Sequence, residues 1–443
     1  MTVHSLLVTL LLLVLAIGHL GAKRDGSRSK PEFKPIKGGV FINLWRRRGF
    51  GSRKRLVIGN GRGVKIGASN SVVVFGPTRC GKTSSVLVPI LCNFDGSAVI
   101  TSVKNDVFMS SHNARSSRSK LLVISEYERD QGWRWDPADY AKDLSAAREV
   151  AHHMVVASNE YRSSSGDTKF WYRLSEPLLA GVLLASNAIE SFDERKLLCN
   201  FEDLDFLLNQ LESMGEKDLA QSILGVLRND ERHASSVLIT AQSVIAPHLQ
   251  ALELLQGASF NLDLSEVLRK RGTEPFTIYL IASLSSQTRL APYFGTIISL
   301  IGANLLKEEH VRSRILFALD ELANVAPVSD LAKFASVGMA FGLQMVSVFQ
   351  DFAQLKSVYG ESAGTVVNNH GTKIFFGGIT DPSTLELFRS ILPLEERNGL
   401  KSRPEISHLR FGEAVVFEPF MTPSKIRLVP RSSVKDGKKF TFG

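Results

Sequence analysis

Cysteine is scarce in this chain. Its 443 residues hold three, Cys80, Cys92 and Cys199, and no two stand in a C-x-x-C spacing. That pattern supports neither a disulfide framework nor a thiolate zinc site. Cys80 lies inside a glycine-flanked loop, where a free thiol fits a reducing compartment or simply fills a small position. Positive charge is plentiful overall yet missing from most of the chain. The net charge is +9, but residues 23–55 carry twelve Lys or Arg against two acids, a net of +10, which leaves −1 for everything else. A body this close to neutral has no global nucleic-acid signature, so any DNA contact on it has to be a local patch. Long apolar runs are as rare. One uncharged, leucine-dominated stretch, Ser5 to Ala22, spans 18 residues.

As a helix that stretch covers about 27 Å, just short of a hydrocarbon core of roughly 30 Å. Eleven of its residues are Leu, Val or Ile; together they favour insertion by roughly 3–6 kcal/mol. Lys23, Arg24, Arg28 and Lys30 follow at once, and no Lys or Arg precedes it. The positive-inside rule then predicts a single-pass anchor over residues 1–22 in the cytoplasmic membrane, with the body in the cytoplasm. The competing reading, a cleaved signal peptide, calls for a basic n-region that is missing here. Residues 23–55, with Trp45-Arg46-Arg47-Arg48 inside, read as a basic juxtamembrane linker that holds anionic headgroups. A DNA- or partner-binding role is the alternative for it.

The strongest signal begins at Ser71. Val72 to Phe75 is a continuous apolar run, as expected of a strand buried on both faces. It leads into Gly76-Pro77-Thr78-Arg79-Cys80-Gly81-Lys82-Thr83-Ser84 and then into a segment able to start a helix. Strand, Gly-x-x-x-x-Gly-Lys-Thr loop and helix together are the context a phosphate-binding P-loop requires. The two glycines let backbone N–H groups turn inward at a positive helix end, forming an anion nest. In that arrangement Lys82 reaches the β- and γ-phosphates and the Thr83 hydroxyl ligates Mg²⁺. The ligand predicted for residues 76–84 is therefore ATP with Mg²⁺, and the protein is expected to be an NTPase.

A partner for the loop stands far downstream. Ile315-Leu-Phe-Ala-Leu-Asp320-Glu321 is an apolar run ending in two carboxylates. That is a Walker B pattern, with the acids at the carboxyl end of a buried strand, where ligands sit in open α/β sheets. Asp320 is the expected metal-shell carboxylate and Glu321 the general base for the attacking water. Gln350 ends the next apolar strand and is either a γ-phosphate sensor or an ordinary strand-end residue.

Strands and helices alternate up to residue 138 and again from 264 to 430, which predicts an α/β fold with a parallel sheet. Between them, residues 139–263 are dominated by helical periodicity and read as an all-α insertion domain. Phe170 and Trp171 are expected in its core. The organisation predicted is an anchor (1–22), basic linker (23–55), nucleotide-binding domain in two parts (56–138 and 264–430), insertion (139–263) and basic tail (431–443). The insertion is a candidate substrate-recognition unit, or else a brace for the sheet.

Several blocks in this order resemble the type IV coupling proteins, the TraG/TraD-like conjugation ATPases of the FtsK/HerA group. They are Gly-Pro-Thr-Arg-Cys-Gly-Lys-Thr, then Ser97-Ala-Val-Ile-Thr-Ser-Val-Lys104-Asn-Asp, Phe170-Trp171 and Leu319-Asp-Glu-Leu-Ala-Asn324. Val348-Phe-Gln350-Asp-Phe-Ala-Gln354 and Asn369-His-Gly-Thr-Lys373 complete the set. The resemblance implies a RecA-like domain split by the all-α insertion. It also implies an inner-membrane ATPase, usually a hexamer, that passes relaxase-bound single-stranded DNA or effector proteins to a type IV secretion channel. Three features depart from the family: a single apolar span where many members have two, Lys104 as the sole match to an Asp-x-Lys-Gly strand end, and no basic residue in the turn Gly338 to Gly342. Two other functions fit the residues, a different FtsK/HerA-type DNA translocase and a non-translocating ATP-binding recruitment adaptor.

Overall fold

The computed structural model describes residues 71–428 apart from 129, 159, 162–166, 229, 309, 312, 327, 393–404 and 422, together with two short strands at 56–58 and 64–66. The predicted anchor, basic linker and basic tail lie outside the described residues.

Strands β1 (Leu56–Ile58) and β2 (Val64–Ile66) pair antiparallel. After them come β3 (Val72–Phe75), β4 (Ser97–Ser102), β5 (Lys120–Ser125), β6 (Trp133–Arg134) and β7 (Phe260–Asn261). The second half supplies β8 (Phe276–Ile281), β9 (Ile315–Leu319), β10 (Leu343–Phe349), β11 (Thr372–Phe376), β12 (Glu413–Phe417) and β13 (Ser424–Arg427). Nine of these form one sheet in the order β13-β12-β11-β3-β10-β9-β4-β8-β5. It is parallel from β11 to β5, while β12 and β13 close one edge antiparallel.

The central strands β3, β9 and β10 are buried along their whole length. Continuous Val, Ile, Leu and Phe runs are what a sheet covered on both faces demands. Alternation then divides each strand between two cores. Val73 and Phe75 point into one, Val72 and Val74 into the other. The second core lies under α1 (Thr83–Asn93) and α2 (Asp106–Ser116).

Helices dominate the middle of the chain: α3 (Leu144–Ala157), α4 (Asp167–Asn187), α5 (Phe192–Cys199), α6 (Leu204–Ser213), α7 (Lys217–Arg228) and α8 (Glu231–Leu254). Side chains of Asp143, Ser191, Asp203 and Asp230 accept backbone N–H groups at the starts of α3, α5, α6 and α8. Each such cap is worth about 1 kcal/mol. The chain leaves and returns to the sheet at one point. There β6 lies parallel to β7, with Trp133 stacked on Phe260 at 4.9 Å between centroids.

These helices share the first core with α9 (Gln287–Leu306), whose Phe294, Ile297 and Ile301 belong to one buried cluster with Val150, Met154 and Leu179. Among the described residues α9 alone is long and apolar enough to cross a membrane, and 78% of its apolar window is buried inside this core. One sequence expectation changes here. Phe170 is 55% exposed, and Trp171 is half-buried and edge-on to it, so this pair is not core as a whole. Within the stretch read as all-α, the eight-residue α5, Phe-Asp-Glu-Arg-Lys-Leu-Leu-Cys, has too little apolar period to stand out by itself.

Three histidines, His153, His248 and His370, are buried, and burial lowers each from 6.5 to about 4. The unfolded chain takes up these protons as pH falls through 6.5, whereas the folded protein takes them up only near 4. Each histidine therefore removes roughly 1.4 kcal/mol of stability per pH unit across that window. Asp320, raised by burial to about 6, and His152, raised by its hydrogen bond to Glu176, work the other way, two groups against three. The denaturant midpoint is expected to fall clearly between pH 7 and pH 5. Equal midpoints would show that these rings do not enter the folded core neutral.

Candidate functional site

The loop after β3 crosses the carboxyl edge of the sheet. Gly76 N–H donates to the Gln350 carbonyl at 3.1 Å, tying the loop to the end of β10. A Cβ on Gly76 would lie 2.7 Å from both Cys80 Sγ and Phe376 Cβ, so any larger residue would displace the loop. Gly81 has φ +98°, a backbone that side chains with a Cβ rarely adopt. Arg79 also takes positive φ, at 62°. Cys80 is buried against Gly76, and burial pushes its thiol up from 9.0. The thiol thus stays protonated and fills a small space.

Lys82, 9% exposed, donates to the carbonyls of Gly76 at 2.5 Å and Pro77 at 2.8 Å, which holds the ammonium at the loop. The first turn of α1, Thr83–Leu87, is a wide π turn with no acidic residue. Its N–H groups face the loop at the positive end of the helix dipole.

The second half of the site arrives from β9. The Thr83 hydroxyl donates to Asp320 Oδ2 at 2.8 Å across 237 residues of sequence. Asp320 is buried, and its Oδ1 has no hydrogen-bond partner. Burial raises its carboxyl to about 6, the neighbouring Glu321 adds to the rise, and the Thr83 hydrogen bond opposes it. Thr101 at the end of β4 donates to the Asp320 carbonyl at 2.8 Å and fixes the backbone from the other side. Glu321 sits in the left-handed region (φ 45°, ψ 41°) and opens the short helix Leu322–Val325. A non-glycine residue held there costs roughly 1–3 kcal/mol, a strain characteristic of functional sites.

A cavity of about 900 Å³ joins these parts. Thr78 to Ser84 line it from the loop, Asp320 and Glu321 from β9, and Gln350 from the end of β10. Of the residues singled out in the sequence, Gly76 and Pro77 do not line it; they supply the carbonyls that hold Lys82. Gln350 reaches the cavity because β10 lies between β3 and β9 in the sheet. Lys104, Asn324, Leu284 and Phe411 also line it. Lys104 and Asn324 stand in the blocks that carry the family resemblance, whereas only a place in a turn next to a strand could have pointed to Leu284 and Phe411.

Among the described residues no three His, Cys, Asp or Glu side chains group as a metal cage. Magnesium needs none, because it takes one or two protein oxygens and fills its shell with water and phosphate. A buried carboxylate with one unpartnered oxygen beside a threonine hydroxyl fits that ion.

A P-loop at the head of a mostly parallel sheet, with a carboxylate pair two strands away, defines a P-loop nucleotide-binding protein. Matching narrows this class. The chain belongs to the type IV secretory system conjugative DNA transfer family, whose pattern it matches over residues 31–392. It is similar to the conjugal transfer protein TraG of Escherichia coli, 22% identical over 368 residues, covering 76% of this chain and 56% of that protein. TraG of Agrobacterium fabrum is 24% identical over 392 residues, covering 79% and 58%. Protein VirD4 of Rhizobium rhizogenes is 20% identical over 384 residues, covering 82% and 55%. The chain thus spans about half the length of the curated relatives it matches. In fold it resembles the conjugative coupling protein TrwBdeltaN70, with a TM-score of 0.67, 19% identity, and coverage of 87% of this chain and 89% of that one. TrwB solved with the ATP analogue ADPNP also gives 0.67, at 20% identity, covering 86% and 90%.

Proposed function

We propose that this chain is a membrane-anchored, Mg-dependent ATPase that recruits DNA, as a relaxase-bound single strand, or effector proteins and helps move them into a type IV secretion channel. The Thr83–Asp320 hydrogen bond carries the ATPase part, because it joins the P-loop to the carboxylate strand at the distance one shared ion requires. Family membership supports the transfer part. TrwB structures with ADPNP and with ADP and Mg²⁺ support the choice of ligand.

In this reading the backbone of residues 76–84 cradles the phosphates and Lys82 binds the β- and γ-phosphoryl oxygens. Thr83 and Asp320 hold Mg²⁺, which when bound neutralises phosphate charge. Glu321 takes the proton of the attacking water, and Gln350 orients the γ end. Residues 1–22 anchor the chain in the cytoplasmic membrane, 23–55 lie along its headgroups, and the body is cytoplasmic and hexameric. The helical stretch 139–263 recognises the transferred substrate, and its bracketing by β6 and β7 at a single point suits an inserted unit.

The test is ATP hydrolysis by the purified full chain with and without single-stranded DNA. A several-fold rise in turnover on adding the strand, with duplex DNA weaker, is expected. Turnover that ignores DNA would favour effector proteins as the substrate. No hydrolysis under any condition would favour a recruitment adaptor.

A further inference from the structure

The loop and the carboxylates account for a triphosphate and leave the rest of the nucleotide without a seat. The sheet order shows where that remainder has to lie. Asp320 and Glu321 follow β9 and Gln350 follows β10, all on one side of β3, and these mark the γ end. On the other side of β3 stand β11 and β12. The link after β11 touches the loop, since a Cβ on Gly378 would lie 3.5 Å from Pro77 Cγ. Beyond it, the turn before β12 places Phe411 on the wall of the same cavity.

Phe411 is 69% exposed, although Leu409, two residues earlier, packs on the core. The turn that displays it is rigid. Glu413 N–H donates to the Arg410 carbonyl, and Arg410 N–H donates to Glu413 Oε2, both at 2.9 Å. Gly412 has φ +78°, the third-position conformation of a type II turn, which places Phe411 second. A Cβ on Gly412 would come within 2.8 Å of the Leu428 carbonyl, and Leu428 N–H donates to the Gly412 carbonyl at 2.6 Å, so the residue after β13 holds the turn from behind. A flat, exposed ring carried by a hydrogen-bonded turn at the rim of the cavity is a stacking platform.

We infer that Phe411 is the seat of the nucleotide base, stacking a purine whose phosphates lie in the P-loop. The inference rests on the ATPase reading and adds the base subsite to it. A bare ring face reads no exocyclic groups, so adenine and guanine are held alike.

The full chain, wild type and Phe411→Ala, is titrated calorimetrically with Mg-ATP, Mg-GTP and Mg-tripolyphosphate, which has phosphates and no base. Stacking on one aromatic ring corresponds to about a 5- to 150-fold change in affinity. Phe411→Ala is expected to weaken ATP and GTP by that factor and to leave tripolyphosphate unchanged. Phe411→Trp is expected to bind ATP as the wild type does, with its indole fluorescence quenched by ATP and untouched by tripolyphosphate. Unchanged ATP affinity in Phe411→Ala overturns the inference. So does an equal loss for tripolyphosphate, which would make the ring a support for the loop. A wild-type chain that binds tripolyphosphate as tightly as ATP overturns the base subsite and spares the P-loop. One that binds neither defeats the ATPase reading itself.

Discussion

Glu321→Gln is expected to bind Mg-ATP normally and hydrolyse it 10²- to 10⁴-fold more slowly, the usual worth of a general base. The amide keeps the size and the left-handed backbone of Glu321 and loses only the ability to take a proton. Lys82→Ala and Asp320→Ala are expected to fail earlier, at binding. Lys82→Ala removes the ammonium now held by the Gly76 and Pro77 carbonyls. Asp320→Ala removes the acceptor of the Thr83 hydroxyl and the buried unpartnered oxygen beside it. The backbone at residue 320 should stay in place, since Thr101 binds its carbonyl and not its side chain. Equilibrium nucleotide titration and single-turnover hydrolysis separate the two classes. A Glu321→Gln protein with near-normal turnover would take Glu321 out of the base role.

These groups were legible in the sequence because each is tied to a local backbone pattern. A P-loop needs its two glycines within six residues, and a Walker B acid needs an apolar strand just before it. The wall residue Phe411 carries no such pattern. Its place depends on the β11–β12 pairing and on Gly412, and the surrounding Arg410-Phe-Gly-Glu413 reads as an ordinary turn. Order within the sheet was equally hidden. Adjacent runs in sequence, such as β9 and β10, can pair in either direction or not at all, and only the structure puts β10 between β3 and β9. Phe170 failed for the opposite reason: helical period assigns it to a face, but the face is open at that end of α4. The same limit applies to the middle helices as a unit. Their periodicity marks them as helices, while their shared core with α9 comes from remote contacts, such as His248 to Thr296, 48 residues apart, and Glu149 to Asn304, 155 apart.

That dependence on remote contacts sets the second large effect, at Arg115. The side chain is fully buried in α2, and its three hydrogen bonds go to two carbonyls and a hydroxyl. Its Nη1 donates to the Phe94 carbonyl at 2.6 Å, Nη2 to the Gly96 carbonyl at 2.5 Å, and Nε to Thr277 Oγ1 at 3.0 Å. Those partners are the end of α1, the start of β4 and a residue of β8. The guanidinium thus closes the reversal from the P-loop helix into the strand whose far end holds Asp320. Gly96 takes φ +130° there, with Arg314 O so near that a Cβ would lie 2.5 Å from it. Burial lowers the guanidinium's proton affinity, Tyr279 and Asp95 oppose that only in part, and the three acceptors help keep the charge tolerable inside. Arg115→Ala would strand two buried carbonyls at roughly 1–3 kcal/mol each and open a cavity besides. A loss of about 3–5 kcal/mol is expected, large enough to threaten folding. Arg115→Met keeps the volume and loses the donors, and should cost less than Ala while staying well below wild type. The comparison is Arg118, whose pair with Asp95 at 3.4 Å is half open to water and worth about 1 kcal/mol or less, with one further hydrogen bond to the Cys92 carbonyl at 3.0 Å. Denaturant midpoints of the three variants test the order. Arg115→Ala within 1 kcal/mol of wild type, on the scale of a surface pair, would mean that the α1–β4 reversal holds without its guanidinium.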